Sequence, residues 1–193
     1  MNINIDYQVK IHSYWHCGSG LAAGADVDAL VIKDQDGFPY IPGKTMKGLV
    51  REAIEDYLRF AKESKETVAA VEKALGKPVS NDSDKEVKGK AFFTNAEIEA
   101  DLRRDIVNVG LQKYLFSNIA STAIGKDGVA LKNSLRRIEV AVPCELTGKI
   151  IGIEDSLKEV IAKSLGLIKH IGVNRNRGLG RCTISIKCKE GNK

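Results

Sequence analysis

The stretch GFPYIPGKTMKG, residues 37–48, holds residue types that could bind a phosphate. It places Gly-Lys-Thr directly ahead of a helix-like pattern, as the last letters of a nucleotide-binding P-loop do. A P-loop also requires a glycine five residues before Gly43, but that residue is Phe38. Pro39 and Pro42 remove two backbone N–H donors from the segment that would surround the phosphates. The spacing therefore argues against an ATP- or GTP-hydrolysing enzyme.

Three cations nevertheless follow this turn, Lys44, Lys47 and Arg51, all within the first two turns of the predicted helix. Positive side chains are disfavoured at a helix N-terminus because the helix dipole already concentrates positive charge there. An anion bound at this end would make the arrangement favourable. The alternative is a solvated basic face that is partly neutralised by Glu52 and Glu55. Both interpretations are open at this point.

The second group is the loop GVNRNRGLGR, residues 172–181. Its glycines allow a ligand to approach the backbone closely, and its arginines offer forked donors that suit phosphate oxygens. Alone, the loop would fit RNA, a nucleotide or an acidic protein surface. Together with the basic helix, it favours a phosphodiester backbone.

The charge distribution agrees with a polyanionic partner. The 193-residue chain has a net charge of +5, and from Lys169 to the end there are seven basic residues against the single acid Glu190. Four cysteines (Cys17, Cys144, Cys182 and Cys188) form no C-x-x-C pair, and with three histidines they give little support to a zinc site. Since we find no signal peptide and no membrane-length apolar run, we expect a cytoplasmic protein with free thiols and no membrane partner.

The periodicity of the sequence predicts the elements that position these groups. Strands are predicted over 5–15, 27–34, 88–99, 137–143, 144–153 and 182–189, and helices from Lys44 onward, over 63–76 and over 155–168. The long elements follow the β-α-β-β-α-β order of the ferredoxin-like fold, in the α+β class. Residues from about 60 to 88 are predicted to form an insertion. Residues from about 121 to 136 are predicted to form a polar excursion.

Four stretches, taken together, resemble the RAMP superfamily of CRISPR-associated RNA-binding proteins. They are ADVDALVIKDQDGFPYIPGKTMKGLVRE (25–52), KAFFTNAEI (90–98), GVALKNSLRRIEVAVP (128–143) and RNRGLGR (175–181). The resemblance implies one RAMP domain over 1–193 with a ferredoxin-like, RRM-related core that grips guide RNA. Its closest likeness is to the backbone subunits of type III effector complexes, which stack along the guide.

The resemblance also implies RNA-binding residues, matched by position to the family motifs. In those backbone subunits a thumb-like hairpin intrudes between segments of the guide–target duplex, and the excursion 121–136 corresponds to it here. The residues expected at RNA are Lys44, Thr45, Lys47, Arg51, Arg136, Arg137, Asn174, Arg175, Arg177, Gly178, Gly180 and Arg181. Backbone contacts of this kind fix register, while base pairing reads the sequence.

A catalytic role is implied for Asp28. The family's target-cleaving subunits use an aspartate ahead of a Lys-Asp pair, which is Lys33-Asp34 here, to promote attack by a ribose 2′-OH. Asp28 would position that hydroxyl or a divalent cation, with Mg²⁺ expected because it prefers oxygen ligands. Asp26 lies close enough in sequence to be the acid instead, and Leu30 stands where the family often has proline.

Several readings of the function stay open. The leading one is a guide-RNA-binding subunit that cleaves target RNA, with complementary target RNA and other effector subunits, or copies of itself, as partners. A non-catalytic scaffold would show the same RNA footprint. A stand-alone RAMP endoribonuclease would process guide precursor with a histidine, for which His12 and His16 are candidates. A protein-only scaffold would show no salt-dependent affinity for RNA.

Overall fold

The computed structural model describes residues 1–24, 26–77 and 87–187, so part of the predicted insertion lies outside the described residues. The elements are, in chain order, β1 (Asn2–Ile11), α1 (Gly43–Ala61), α2 (Lys65–Leu75), β2 (Gly76–Lys77), β3 (Val87–Lys88), β4 (Phe92–Phe93), α3 (Ala100–Asn108), β5 (Phe116–Ser121), β6 (Arg136–Ala141), β7 (Glu145–Glu154), α4 (Lys158–Leu167) and β8 (Cys182–Ile186).

A four-stranded sheet in the order β4-β7-β1-β8 forms the core, and each neighbouring pair is antiparallel. The alternation in β1 explains its orientation, since Ile5, Tyr7, Val9 and Ile11 are buried while the residues between them are more exposed. Helices α1 and α4 pack side by side and contact β4 and β8, respectively. The order of core elements confirms the predicted ferredoxin-like α+β fold.

Helix α1 carries the apolar stripe that its period predicted. Met46, Val50, Ala53 and Ile54 are buried. The helix begins at Gly43, where a Cβ atom would lie 2.1 Å from the carbonyl oxygen of Phe93. Only glycine therefore lets the N-terminus of α1 sit this close to β4.

The β-hairpin formed by β5 and β6 stands outside the main sheet. Its register runs from the pair Phe116–Ala141 to the pair Ser121–Arg136, and residues 122–135 form the tip. The tip contains an isolated bridge between Ile124 and Ala130, and its side chains Ile124, Val129, Leu131 and Leu135 are exposed. The polar excursion 121–136 is therefore the end of a projecting hairpin, as the thumb-like prediction required.

Some predicted boundaries were wrong. Residues 27–34 do not form a continuous strand, because their backbone bridges and hydrogen bonds go to three segments, residues 17–23, 37–39 and 137–139. Strand β1 ends at Ile11, and within the predicted strand 88–99 only Phe92–Phe93 and Lys88, the last residue of β3, are in regular strands. A 3-10 turn, Asp155–Leu157, precedes α4, which begins with no side-chain cap.

Candidate nucleic-acid interface

The glycine- and arginine-rich loop is fastened along its length to residues 13–16. The backbone N–H of Gly180 donates to the Tyr14 carbonyl oxygen at 2.7 Å, and that of Val173 donates to the His16 carbonyl oxygen at 3.0 Å. The N–H of Arg181 donates to the Ser13 hydroxyl oxygen at 2.9 Å. We call residues 172–181 the arginine loop. Its position is fixed by backbone contacts, which leaves its side chains available for a ligand.

The three glycines of the arginine loop serve two purposes. A Cβ at Gly172 would lie 2.2 Å from the His16 carbonyl oxygen, and one at Gly180 would lie 1.8 Å from that of Ile171. These two glycines therefore let the loop pack against the protein. Gly178 has φ +88° and open space around its Cβ position, so none of the described residues fills the volume beside it. Only Gly178 leaves room for an external group.

The arginines of the loop point outward. Arg175 and Arg177 form a short 3-10 turn that follows Asn174, whose φ of 56° lies in the left-handed region. All three residues are exposed, as is Arg181. Arg175 lies 3.8 Å from the Glu52 carboxylate of α1, which is a long and solvated ion pair. Glu52 therefore neutralises little of the positive charge of this surface.

The basic start of α1 continues the same surface. Lys44 is exposed, while Thr45 and Lys47 are half-buried. Burial, and then the nearby charge of Arg51, lowers the pKa of Lys47. Glu52, which contacts Arg175, lies eight residues after Lys44 on one ridge of α1. Arg175 therefore lies roughly 12 Å from Lys44 along the helix axis. An anion beside this ridge would relieve the repulsion between the cations.

Arg51 is placed differently from the other predicted phosphate contacts. Its guanidinium donates from Nη2 to the carbonyl oxygen of Leu75, the last residue of α2, at 2.5 Å. Its Nε is buried and has no hydrogen-bond partner among the described residues. The side chain thus ties α1 to α2, and a contact between Arg51 and a phosphate would require it to leave this carbonyl.

The structure places Asp28 beside the outer end of the β5–β6 ladder, where the tip begins, next to the predicted thumb residues. Its backbone N–H donates to the Arg137 carbonyl oxygen at 2.8 Å, and its Oδ2 accepts from the Arg137 N–H at 2.7 Å. Asp28 and both Arg136 and Arg137 are exposed. The exposed Asp26 lies two residues away, and its N–H donates to the Ala23 carbonyl oxygen at 3.3 Å. The sequence predicted the acid and the hairpin separately, and the fold joins them.

A charge clamp that the sequence did not reveal holds this acidic segment. The Glu139 carboxylate on β6 accepts from the Val31 N–H at 3.0 Å and from Lys33 Nζ at 2.8 Å. Lys33 also lies 4.0 Å from the centre of the Phe116 ring on β5. One lysine therefore binds residues 28–33 to both strands of the hairpin. A glutamate in the otherwise apolar run IEVAV was the available signal.

His16 connects the hairpin with the arginine loop. Its ring Nδ1 lies 2.6 Å from the Glu139 carbonyl oxygen, while its own carbonyl accepts from Val173. The ring is only 2% exposed, so it is poorly placed for acid–base chemistry on RNA. His12 is exposed and hydrogen-bonds through Nε2 with Thr183. His12 and His16 do not share one face of a strand, because β1 ends at Ile11, before both of them.

The open face of the sheet differs from the RNA platform of an RRM. On its central strands β1 and β7 the outward side chains are Asn4, Asp6, Gln8, Lys10, Glu145, Thr147, Lys149 and Ile151, none of them aromatic. An RRM stacks bases on aromatic residues of this face. Asp6 is paired with Lys149 at 3.4 Å, and Lys187 is paired with Glu99. The charge available to a polyanion therefore lies on the arginine loop and α1 instead.

The side chains around Asp28 limit the number of protein ligands that a metal ion could have there. Among the residues that the structure describes, no group of three or more histidine, cysteine, aspartate or glutamate side chains could hold a metal. Mg²⁺ commonly takes one or two carboxylates and fills its remaining positions with water and phosphate oxygens. Asp28, with one carboxylate oxygen engaged by Arg137, fits such a site only when RNA supplies further ligands.

The three described cysteines, Cys17, Cys144 and Cys182, have free thiols as predicted, and Cys188 lies outside the described residues. Burial raises the pKa of Cys17 and Cys144 to about 12. Such thiols stay protonated, which disfavours metal binding. Over the described ranges, we find no helix with both the length and the apolar character required to cross a bilayer.

Comparison with known proteins gives one family match and several similar structures. The model of the RAMP superfamily matches residues 8–183. A structure described as "Type III-B Cmr-beta Cryo-EM structure of the Apo state" contains a chain of TM-score 0.70 and 12% identity, with 97% of this chain and 98% of that chain covered. Another structure, "Cryo-EM structure of the Type III-B Cmr-beta bound to cognate target RNA", contains a chain of TM-score 0.65 and 12% identity, with 95% of this chain and 97% of that chain covered. No curated protein matches the sequence.

Proposed function

The chain belongs to the RAMP superfamily, and on this basis we propose that it is a guide-RNA-binding backbone subunit of a type III CRISPR effector complex that cleaves target RNA. The observation that carries this proposal is the double hydrogen bond between Asp28 and Arg137. It sets an exposed carboxylate beside the hairpin, at the point where the ladder of β5 and β6 meets the tip. A thumb that parts a guide–target duplex would present the target backbone at this carboxylate.

The guide strand would follow the arginine loop and the start of α1. Arg175, Arg177 and Lys44 are exposed, and Gly178 leaves room for the backbone of the strand. Contacts of this kind neutralise phosphates and read no sequence, as a subunit that binds many different guides requires. The exposed apolar side chains at the hairpin tip would rest against the exposed base pairs where the duplex is interrupted.

Cleavage would be an in-line transesterification. The target ribose 2′-oxygen bonds to the adjacent phosphorus to give a 2′,3′-cyclic phosphate, the bond from phosphorus to the 5′-oxygen breaks, and that oxygen takes a proton from water. Asp28 would orient the 2′-OH and accept its proton. A Mg²⁺ ion held by Asp28 and RNA oxygens would stabilise charge on the phosphate when bound. The hydrogen bond from Arg137 and the clamp of Lys33 with Glu139 would hold the carboxylate in place.

The partners proposed are guide RNA, complementary target RNA and the other subunits of the complex, or copies of this chain. The similar chain in the target-bound Cmr-beta structure supports RNA and neighbouring subunits as partners. Its 12% identity carries the fold alone, so the argument for binding rests on the arginine loop and on Asp28.

RNA binding is tested first with the isolated chain and single-stranded RNA over a range of salt concentrations. We expect log affinity to fall linearly with log salt, with a slope near −0.7 for each phosphate neutralised. Arg175→Ala and Lys44→Ala should each lower that slope. Lys62→Asn is the matched control, since it removes a cation at the far end of α1 and asparagine tolerates the left-handed φ of 49° there. A salt-independent affinity would exclude an RNA-binding function.

Cleavage is tested in the assembled complex with Asp28→Ala and Asp26→Ala. Loss of the cut at this subunit's position in Asp28→Ala, with guide and target still bound, supports the catalytic role. If the cut survives both changes, neither acid is the catalyst. Site-specific cutting of precursor RNA by the isolated chain, lost in His12→Ala, would instead establish a guide-processing endoribonuclease.

A further inference from the structure

We infer that Tyr14 is a stacking platform for one base of the bound strand, at the point where that strand passes from the arginine loop to the hairpin. This inference rests on the proposed function, and it adds a base contact to a surface described so far by phosphate contacts. The ligand is an unpaired nucleobase, of any type, because every base offers a flat π-face.

The position of Tyr14 in the fold is the first argument. Its carbonyl oxygen accepts the Gly180 N–H, which closes the arginine loop. The next residue, Trp15, exchanges backbone hydrogen bonds with Ala141 at the end of the hairpin strand β6, and its indole N–H donates to the Val142 carbonyl oxygen at 3.0 Å. Tyr14 thus lies, like His16, in the short segment that joins the arginine loop to the hairpin.

The exposure of the Tyr14 side chain is the second argument. Tyr14 is 43% exposed, whereas Trp15 beside it is fully buried and fixes the backbone. Ser13 adds to this, because its hydroxyl accepts from Arg181 and contacts the Tyr14 carbonyl. Within the described residues, the phenol of Tyr14 has no hydrogen-bond partner. The ring is therefore held by its backbone and half open to solvent, which is the arrangement a stacked base needs.

The comparison with other aromatic residues is the third argument. Four large aromatic side chains are exposed in the described part of the chain, namely Tyr14, Phe60, Phe92 and Tyr114. Phe60 lies in the last turn of α1, roughly 24 Å along the helix from Lys44. Phe92 is on the sheet-edge strand β4, and Tyr114 is in the 3-10 turn before β5. Only Tyr14 is bonded directly to the arginine loop.

The test measures the affinity of the full-length chain for a 12-nucleotide single-stranded RNA labelled at its 5′ end. Tyr14→Ala should weaken binding by about 5-fold to about 150-fold, the range of one base–aromatic stack, without changing the salt slope. Tyr14→Phe should bind like wild type, since the stack needs no hydroxyl. Phe60→Ala is the control for loss of an exposed aromatic side chain. Equal affinity of Tyr14→Ala and wild type would overturn the inference.

A second measurement separates stacking from a change in the shape of the loop. A set of the same RNAs, each with one abasic riboside, is bound by wild type and by Tyr14→Ala. At one position, loss of the base and loss of the ring should not add, because each removes the same contact. Additive losses at every position would overturn the stacking role. If Tyr14→Ala has no effect while Arg175→Ala weakens binding, the stacking inference fails and the proposed function stands. An absence of RNA binding in wild type would overturn both.

Discussion

The difference between Gly178 and Gly180 leads to the sharpest test of the arginine loop. Both residues have positive φ, +88° and +68°, so alanine is strained at either position by about 1–2 kcal/mol. At Gly178 that strain is the main cost, because no atom lies within 4 Å of its Cβ position. At Gly180 the new Cβ would lie 1.8 Å from the Ile171 carbonyl oxygen, so the backbone must move by more than an ångström.

That movement breaks two hydrogen bonds that hold the loop. The Ile171 N–H donates to the Gly180 carbonyl oxygen at 2.8 Å, and the Gly180 N–H donates to Tyr14 at 2.7 Å. With about 1 kcal/mol for each bond, the loss at Gly180 is about 3–4 kcal/mol, against about 1–2 kcal/mol at Gly178. A difference of about 2 kcal/mol corresponds to roughly 4–8 °C in melting temperature for a chain of this size.

The assay is urea unfolding of both alanine variants, followed by RNA binding of the variant that remains folded. Gly180→Ala should unfold at clearly lower urea, and Gly178→Ala should stay folded but bind RNA more weakly, because its methyl group occupies the space proposed for the strand. If Gly180→Ala is too unstable to purify, its resistance to proteolysis in the cell extract gives the same ranking. Equal unfolding free energies for the two variants would refute the division of the glycines into packing and binding positions.

Three further predictions concern other parts of the chain. Lys33→Met removes the cation between Glu139 and Phe116, so in the assembled complex it should reduce target cleavage while RNA affinity is retained; unchanged cleavage would contradict the clamp. Arg51→Met should expose the end of α2 and lower the unfolding free energy by about 1–3 kcal/mol, measured in urea, because the Leu75 carbonyl loses a charged donor. Cys17 binds its proton more tightly when folded, so its contribution to stability is complete below pH 9 and is lost as the pH rises toward 12, and burial raises the pKa of Cys144 and Cys182 in the same way. Between pH 8 and pH 10, under reducing conditions, Cys17 alone should account for about 1 kcal/mol of the fall in unfolding free energy, so the fall in Cys17→Ala should be smaller by about that amount.

Local patterns predicted the parts of the fold in which one element determines its own geometry. The 3.6-residue period gave the buried stripe of α1, and the alternation in β1 gave its two faces. These two predictions held because burial against a single neighbour fixes each pattern. The hairpin that ends in 121–136 was expected from the family resemblance, since its polar run by itself indicated only an excursion.

The parts that sequence reasoning missed depend on partners far away in the chain. Residues 27–34 look like a strand, but their hydrogen bonds go to three separate segments, one of them the distant residues 137–139. Glu139 and Lys33 are 106 residues apart, so no local spacing reveals their clamp. Arg51 shares a helix with Lys44, yet the end of α2 draws its guanidinium inward. The family resemblance identified Asp28, and only the fold showed which residues hold it.

The hairpin has one further consequence, for how such a protein could change over time. Asp28 contacts the outer end of the β5–β6 ladder and Trp15 its inner end, so the ladder is held at both ends, whereas residues 122–135 of the tip hydrogen-bond to one another. Lengthening a flexible loop costs little, about 0.6 kcal/mol for each doubling. Insertions and deletions at the tip should therefore be tolerated while the ladder stays constant. The reach of the hairpin can vary independently of the carboxylate beside the ladder, so the fold separates a freely adjustable dimension from one that must not move.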